Sequence, residues 1–285
     1  MVRKDGHKVD VRVTWEAGDA SLIAAEAIDH GVDVIVACGG DGTVNEVVNG
    51  VFSVTDSPEA AVAVVPLGSA NDFARGCGHD LGDPTAALRI AASGEPVSID
   101  VGRINERYFL NALVIGFGAE VTFKTSDRMK KMMGGAAYGL VGMLTALEPV
   151  TYNVKYLQDD LHEHKDDKTV FAAVANGRQA GGVEIAPLAD LTDGRFDVIN
   201  VPEFQLSELP EIRNDLMNLG KREPKVITYD QVTFLEVEVD RDLPISPDGE
   251  QLTTTKFRVD VLQQRLPFVL PPETLGKGGW LGVKQ

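Results

Sequence analysis

From the start of the chain to about Ser98, short β-rich runs alternate with stretches of helical period. That grammar predicts a three-layer α/β unit around a mostly parallel sheet. Val9–Trp15 reads as a strand, Asp19 or Ser21 can cap a helix running through Ile28, and Val32–Ala37 reads as an apolar buried strand. Thr43–Val51 is predicted to be a helix entered from a glycine-rich turn, and Ala61–Val65 the next strand. Pro84–Ala92 gives a further helix with proline in its first turn.

After about Ile99 the pattern turns to alternating apolar and polar runs separated by turn signals, at Tyr108–Ile115, Thr169–Ala175, Phe196–Val201 and Val232–Val239. These predict an antiparallel sheet or sandwich, interrupted by helical stretches at about Ser126–Leu147 and Ser207–Leu219. The acidic stretch from Gln158 to Lys168 reads as a solvated hairpin turn. The expected organisation is therefore a nucleotide-binding unit over residues 1–98 and a β-rich unit over 99–285, with the last residues packing back on the first.

Composition adds limits. With 285 residues, 44% hydrophobic and 25% charged, the chain has an ordinary globular mix and room for two cores. A formal net charge of -16 disfavours non-specific nucleic-acid binding, which depends on Lys and Arg neutralising phosphates. Cys38 and Cys77, the only cysteines, lack the paired spacing of a zinc site and agree with a reducing cytoplasm. No apolar stretch follows the basic residues of MVRKDGHK, so no signal peptide is expected in these residues. The longest uncharged run, Met132–Leu147, is 16 residues and falls short of the roughly 20 that span a bilayer.

Two segments carry chemistry. In Gly39-Gly40-Asp41-Gly42-Thr43-Val44-Asn45-Glu46 a strand ends in small residues and a helix begins, which displays backbone N–H groups where the helix dipole favours an anion. Pro66-Leu67-Gly68-Ser69-Ala70-Asn71-Asp72-Phe73-Ala74-Arg75 occupies a second strand-to-helix junction, the edge at which open α/β sheets bind ligands. Ser69 and Asn71 also suit helix capping. Further on, Asp248-Gly249 and Asp193-Gly194 are Asp-Gly turns, and the oxygen donors around Asp190–Arg195 suit a hard cation. Lys124, Arg128, Lys130 and Lys131 ahead of Met132–Leu147 form either a basic approach to anionic lipid or the start of a buried helix. His162-Glu163-His164 reads as a polar turn among acidic neighbours.

GGDGTVNEVVNG followed by PLGSANDFAR resembles the catalytic domain of diacylglycerol kinases, sphingosine kinases and the bacterial YegS-like lipid kinases. The resemblance extends through VRVTWEAGDA, NGRQAGG, LTDGRFDV and PDGE, covers most of the chain and is nearest to the YegS-like group. It implies an α/β nucleotide domain followed by a β-sandwich-like lipid-side domain, with the active site in the cleft between them. It implies an ATP site lined by Gly40, Asp41, Gly42, Thr43, Val44, Asn45, Glu46 and Ser69 with Thr14 beside it. Asp248 would accept the proton of a lipid hydroxyl. The Asp193 side chain and the backbone carbonyls of Asp190 and Arg195 would hold Mg²⁺, with Ca²⁺ as the alternative.

The implied activity is transfer of the γ-phosphate of ATP to a glycerolipid, phosphatidylglycerol or diacylglycerol, by a cytoplasmic enzyme with at most peripheral membrane contact. NAD kinase, which shares a GGDGT loop and a β-rich second domain, is the alternative enzyme, and a non-catalytic nucleotide-binding protein the alternative class. Against the family pattern, the opening strand and its Asn/Gly-containing loop are absent from these residues. Ser69 stands where Thr is usual, and Pro247 where an apolar residue such as Leu is common.

Overall fold

Two adjacent parallel strands, β1 (Val34–Gly39) and β2 (Ala61–Pro66), organise the first part of the chain in a computed structural model, which describes residues 2–116, 119, 150–159, 164–272 and 274. Their register runs from Val34 opposite Ala61 to Gly39 opposite Pro66, so both strands end at one edge. β2 is buried along its whole length, as expected of a strand covered on both faces. Its Val62 and Val64 join a core with helices α1 (Asp19–Asp29) and α2 (Asp41–Val54). Ala61 and Ala63 turn the other way, toward Ile90 and Ala91 of a later helix. Helix, sheet and helix therefore form three layers. A short α3 (Asp72–Gly76) follows β2, and then α4 (Pro84–Ser93), which Asp83 caps by accepting from the Thr85 and Ala86 N–H groups.

The remaining strands are β3 (Pro96–Ile104), β4 (Arg107–Phe109), β5 (Ala112–Gly116), β6 (Tyr152–Gln158), β7 (Lys165–Ala175), the two-residue β8 (Gln179–Ala180) and β9 (Val183–Glu184), and β10 (Phe196–Pro202). After helix α5 (Leu209–Met217) come β11 (Thr228–Val232), β12 (Phe234–Pro247) and β13 (Leu252–Val269). Pairing among these larger strands is antiparallel, and Phe109, Leu113, Val174, Phe196, Val237, Ile245, Phe257 and Val259 share one core. The opposite face of β7 and β10 packs Ala173, Ala175, Ile199 and Val201 against Ile212 of α5. The architecture is thus α/β followed by a β-sandwich-like part.

β13 is the structural bridge. Its first half pairs with β12, its length runs along β3, and Phe268 meets Val62 of β2 in parallel. Leu266, Phe268 and Leu270 consequently lie in the core of α1, α2 and β2, where the Phe268 ring packs 4.8 Å from that of Phe73. Burying a phenylalanine contributes roughly 2–3 kcal/mol, so this end of the chain stabilises the nucleotide-side layers appreciably.

Several local expectations change. Val9–Trp15 forms no strand: the segment pairs with no described strand, and Val11, Val13 and Trp15 are exposed. Alternation alone does not make a strand where no ladder satisfies its backbone. The N–H groups of Trp15 and Glu16 instead donate to the Asp19 carboxylate, and Gly18 rather than Asp19 or Ser21 is the N-cap of α1. β1 is half-buried rather than buried, with Cys38 exposed. Tyr108–Ile115 is two strands broken at Leu110 and Asn111, for a reason that belongs to the site. The segments 126–147 and 124–131, with His162 and Glu163, lie outside the described residues, while His164 lies 3.9 Å from the Glu236 carboxylate.

Candidate active site

β1 and β2 deliver two loops to the same edge, and the Leu67 N–H donates to the Gly39 carbonyl just beyond the strands. Gly40 and Gly68 then touch backbone to backbone. A Cβ on Gly68 would collide with Gly40 Cα and reach 2.8 Å from Asn71 Oδ1, so only glycine permits this approach. α2 starts at Asp41, and its first N–H groups, on Asp41, Gly42 and Thr43, have no intrahelical acceptor. Open space surrounds Gly42 where a side chain would stand. The loop therefore presents N–H donors and a helix dipole to an incoming anion.

Not every residue of the motif faces that space. Asp41 Oδ1 accepts from the Phe73 N–H, tying the first loop to α3. Val44 is buried in the core, and Glu46 accepts from the Ala20 N–H at the start of α1. Ser69 is exposed on the second loop, beside a ring closed by Asn71, which adopts φ 50° and bonds both Gly68 N (2.8 Å) and Gly68 O (2.9 Å). Thr14 lies in the exposed, unpaired stretch before α1.

Asp248 comes from the far side of the sequence. Asp248 (φ 43°) and Gly249 (φ 92°) are the two central residues of a turn closed by the Glu250 N–H on the Pro247 carbonyl. Positive φ at both positions is what a tight two-residue hairpin turn requires. The turn directs the Asp248 carboxylate into the break between β4 and β5. There Oδ2 accepts from Leu110 N (2.7 Å), and Oδ1 from Asn111 N (2.9 Å) and Ala112 N (3.0 Å). These three N–H groups are the ones a continuous Tyr108–Ile115 strand would have spent on a ladder. The fourth donor is Asn45 Nδ2 of α2, 3.3 Å from Oδ2. The helix that opens on the phosphate loop and the PDGE carboxylate are thus one hydrogen bond apart.

A carboxylate has about four lone-pair positions, and all four are used here. Burial pushes the Asp248 carboxyl up to about 6 against the downward pull of these donors. Asp248 is therefore ionised at neutral pH and able to take a proton once a donor yields. The Asn45 bond is the longest of the four.

The second Asp-Gly turn is differently built. Asp190 Oδ1 accepts from Thr192 N and Oγ1, and Asp193 Oδ1 accepts from Arg195 N. Buried Asp100 accepts from Gly194 N and Gln264 N, each at 2.7 Å. Partial desolvation first, then the charges of Asp190, Asp197 and Asp100, push the Asp193 carboxyl upward. Because Asp193 keeps much of its surface in water, screening mutes that shift. Asp197, fully buried, has an Oδ2 without a hydrogen-bond partner. Crowded carboxylates with spare oxygens fit a divalent cation. Among the described residues no three His, Cys, Asp or Glu side chains converge as a cage, so backbone carbonyls would supply the other ligands.

Residues not singled out in the sequence join the halves. Asp72, 6% exposed, accepts from Gly182 N through both oxygens (2.9 and 3.1 Å), linking ANDFAR to NGRQAGG. Burial first, then the Asp41 charge, push its carboxyl up to about 6. Buried Asn176 donates to the carbonyls of Asp100 and Leu110. The only signal for these in the sequence was their place inside the two segments.

An α/β layer with a glycine-rich loop at a helix start, set one hydrogen bond from a carboxylate on a β-sandwich, has the arrangement expected of a phosphotransferase. Residues 1–104 match the diacylglycerol kinase catalytic domain model, and residues 111–270 the model described as the YegS C-terminal NAD kinase beta sandwich-like domain. The chain is 38% identical over 275 residues to a protein of Chromohalobacter salexigens named "Probable lipid kinase YegS-like", covering 95% of this chain and 86% of that one. A relative of the same name from Shewanella frigidimarina is 37% identical over 273 residues, covering 95% and 87%. Among solved structures, a diacylglycerol kinase from Bacillus anthracis aligns with TM-score 0.67 and 25% identity, covering 91% of this chain and 84% of that one. The chain belongs to the YegS-like lipid kinase family. Membership implies ATP as co-substrate. Among the described residues no helix is long and apolar enough to cross a membrane.

Proposed function

We propose that this protein transfers the γ-phosphate of ATP to a hydroxyl of a glycerolipid, phosphatidylglycerol or diacylglycerol, with Asp248 as proton acceptor. The observation that carries the reading is the Asn45–Asp248 contact, which puts an ionised carboxylate beside the helix that opens on the phosphate loop. The N–H groups of Asp41, Gly42 and Thr43 bind the polyphosphate, with the Ser69 hydroxyl on the neighbouring loop. The lipid hydroxyl replaces Asn45 as donor to Asp248 Oδ2. As its oxygen bonds to the γ-phosphorus, the bond from phosphorus to the bridging oxygen of ADP breaks, and the hydroxyl proton passes to Asp248. Phosphoryl transfer needs positioning and charge stabilisation more than covalent help, and this site is arranged for both.

Mg²⁺ bound with the ATP would supply neutralisation of the phosphate charge. The Asp193 side chain with the Asp190 and Arg195 carbonyls would hold a second Mg²⁺, or Ca²⁺, and so offset the clustered carboxylates. The protein works at a membrane surface from the aqueous cytoplasmic side, and residues 1–98 and 99–285 form the nucleotide and lipid sides.

A panel of glycerolipids, sphingoid bases and NAD, incubated with Mg²⁺ and ATP and read by product mass, tests the reading. A phosphorylated glycerolipid that disappears in Asp248→Asn is the expected result. NADP as the product would establish the other enzyme, and ATP binding without turnover of any acceptor would leave a binding protein.

A further inference from the structure

We propose that Asn49, a residue outside the phosphate loop, is a positioning residue for phosphoryl transfer, holding Asn45 in the one orientation that aims its amide at Asp248. This rests on the reading of Asp248 as proton acceptor. Asparagine is a poor residue for a helix interior, yet α2 carries two of them one turn apart, at positions 45 and 49. Both have specific work. Asn49 Oδ1 accepts from Tyr108 N (3.0 Å) and its Nδ2 donates to Tyr108 O (3.0 Å), so one side chain satisfies the edge of β4 as a neighbouring strand would. The same Nδ2 lies 2.9 Å from Asn45 O and 3.1 Å from Asn45 Oδ1.

That last contact decides how Asn45 is turned. With its Oδ1 facing the Asn49 amide, the two N–H bonds of Asn45 Nδ2 point at Tyr108 O (3.0 Å) and Asp248 Oδ2 (3.3 Å). Rotating the Asn45 amide by half a turn would set Oδ1 against a carbonyl and a carboxylate, and NH₂ against NH₂. The alternative is excluded by three mismatched contacts. Asn45 is 4% exposed, so water is not there to repair such a mismatch. Phe52, one turn further along α2, stacks on the Tyr108 ring at 4.5 Å and fixes the helix against β4.

The chain of contacts runs from β4 through Asn49 and Asn45 to the carboxylate, and it joins the phosphate-loop helix to the proton acceptor. Around Asp248 the other donors are backbone N–H groups of 110–112, and the nearby charged pair Arg107–Glu250 is mutually neutralised at the rim. Asn45 is thus the side-chain contact through which α2 sets Asp248. A bond of this kind favours the ionised carboxylate, and its loss moves the titration of Asp248 upward.

The test compares wild type, Asn49→Ala, the near-isosteric Asn49→Asp, Asn45→Ala and the Asn45/Asn49 double alanine variant. Two measurements are made on each full-length protein: the pH dependence of lipid phosphorylation, and the titration of the Asp248 carboxyl by carbon NMR, which needs no substrate. Asn49→Ala and Asn49→Asp are expected to raise the Asp248 titration midpoint and the acidic limb of kcat/KM for the lipid by about half a pH unit or more. kcat should fall about tenfold, with KM for ATP nearly unchanged. Adding Asn49→Ala to Asn45→Ala should change neither quantity further, because Asn49 acts through Asn45. An unshifted Asp248 midpoint in a folded Asn49→Asp protein overturns the proposal, as do strictly additive effects. Full activity of Asp248→Asn would instead remove the proton-acceptor reading, whatever Asn49 does.

Discussion

The molecule uses the Asp-Gly pair twice, at 193–194 and 248–249, and gives the two carboxylates opposite company. Asp248 meets four donors and no negative neighbour that shifts it. Asp193 meets one donor and three other acids, Asp190, Asp197 and Asp100. Both are pushed upward, the first against the pull of its hydrogen bonds and the second with the help of like charges. Surroundings, not the dipeptide, decide the chemistry: a donor-lined carboxylate can exchange a proton, whereas an acid-crowded one asks for a cation.

The sharpest way to break this comparison is Asp248→Asn. Asparagine tolerates positive φ, so the turn should persist while the proposed proton acceptor is lost. kcat for lipid phosphorylation is expected to fall about 10³-fold. An intact rate would show that the donors around Asp248 serve only to close the turn. Next in size is Asp193→Asn. Wild-type protein should be stabilised by added Mg²⁺, by about 2–3 kcal/mol at a hundredfold excess over the dissociation constant, and Asp193→Asn should lose that response. Equal melting shifts in the two proteins would place the cation elsewhere.

Asp100 tests the link between the acid cluster and the fold. Its carboxylate holds Gly194 N and Gln264 N, the latter where the β3–β13 register shifts between Leu262 and Leu266. Asp100→Asn keeps one acceptor oxygen and turns an NH₂ toward the other N–H, which should cost about 2 kcal/mol in urea unfolding. The same substitution removes a like charge from beside Asp193, so Mg²⁺ binding should weaken. A destabilised protein with unchanged Mg²⁺ response would separate the two roles.

Much of this was legible in the sequence because it depends on local rules. The glycine-rich junction, strand β2, the Pro84 helix start and the change of period after Ile99 are all set by short-range patterning. What could not be read is set by partners distant in the chain. Val9–Trp15 has strand periodicity but no ladder, and Tyr108–Ile115 has strand periodicity but surrenders three N–H groups to a residue more than 130 positions later. In the motif itself, spacing did not separate residues beside the open space at Gly42 from Val44, which packs in the core, or Glu46, which accepts from Ala20 N in α1. Asn49 was invisible because a helix-interior asparagine declares its purpose only when Tyr108 lies beside it.

The smallest expected effect is on stability against pH, and it sets buried Asp72 and Asp100 and half-buried Asp248 apart from exposed Asp193. Asp72, Asp100 and Asp248 are each pushed up to about 6, burial being the first cause, from an unfolded value of about 3.9. Their contribution is fully present below the unfolded value and is lost as pH rises through 6, since the folded protein then carries buried charge the unfolded chain solvates. His79 runs the other way. Buried, with neither ring nitrogen hydrogen-bonded, it is pushed down to about 4, so its contribution is present above about 6.5 and is lost as pH falls toward 4. Three acids against one histidine leave a net gain of about 1 kcal/mol at pH 5.5 over pH 7.5. Relief of the -16 charge acts in the same direction. Urea titrations across this range should place the stability maximum on the acid side of neutral, and His79→Leu should enlarge the difference to about 2–3 kcal/mol. Asp248→Asn should flatten the profile and Asp193→Asn leave it nearly unchanged. A maximum above pH 8, or equal responses of those two variants, would mean that the two turns hold their carboxylates in the same way after all.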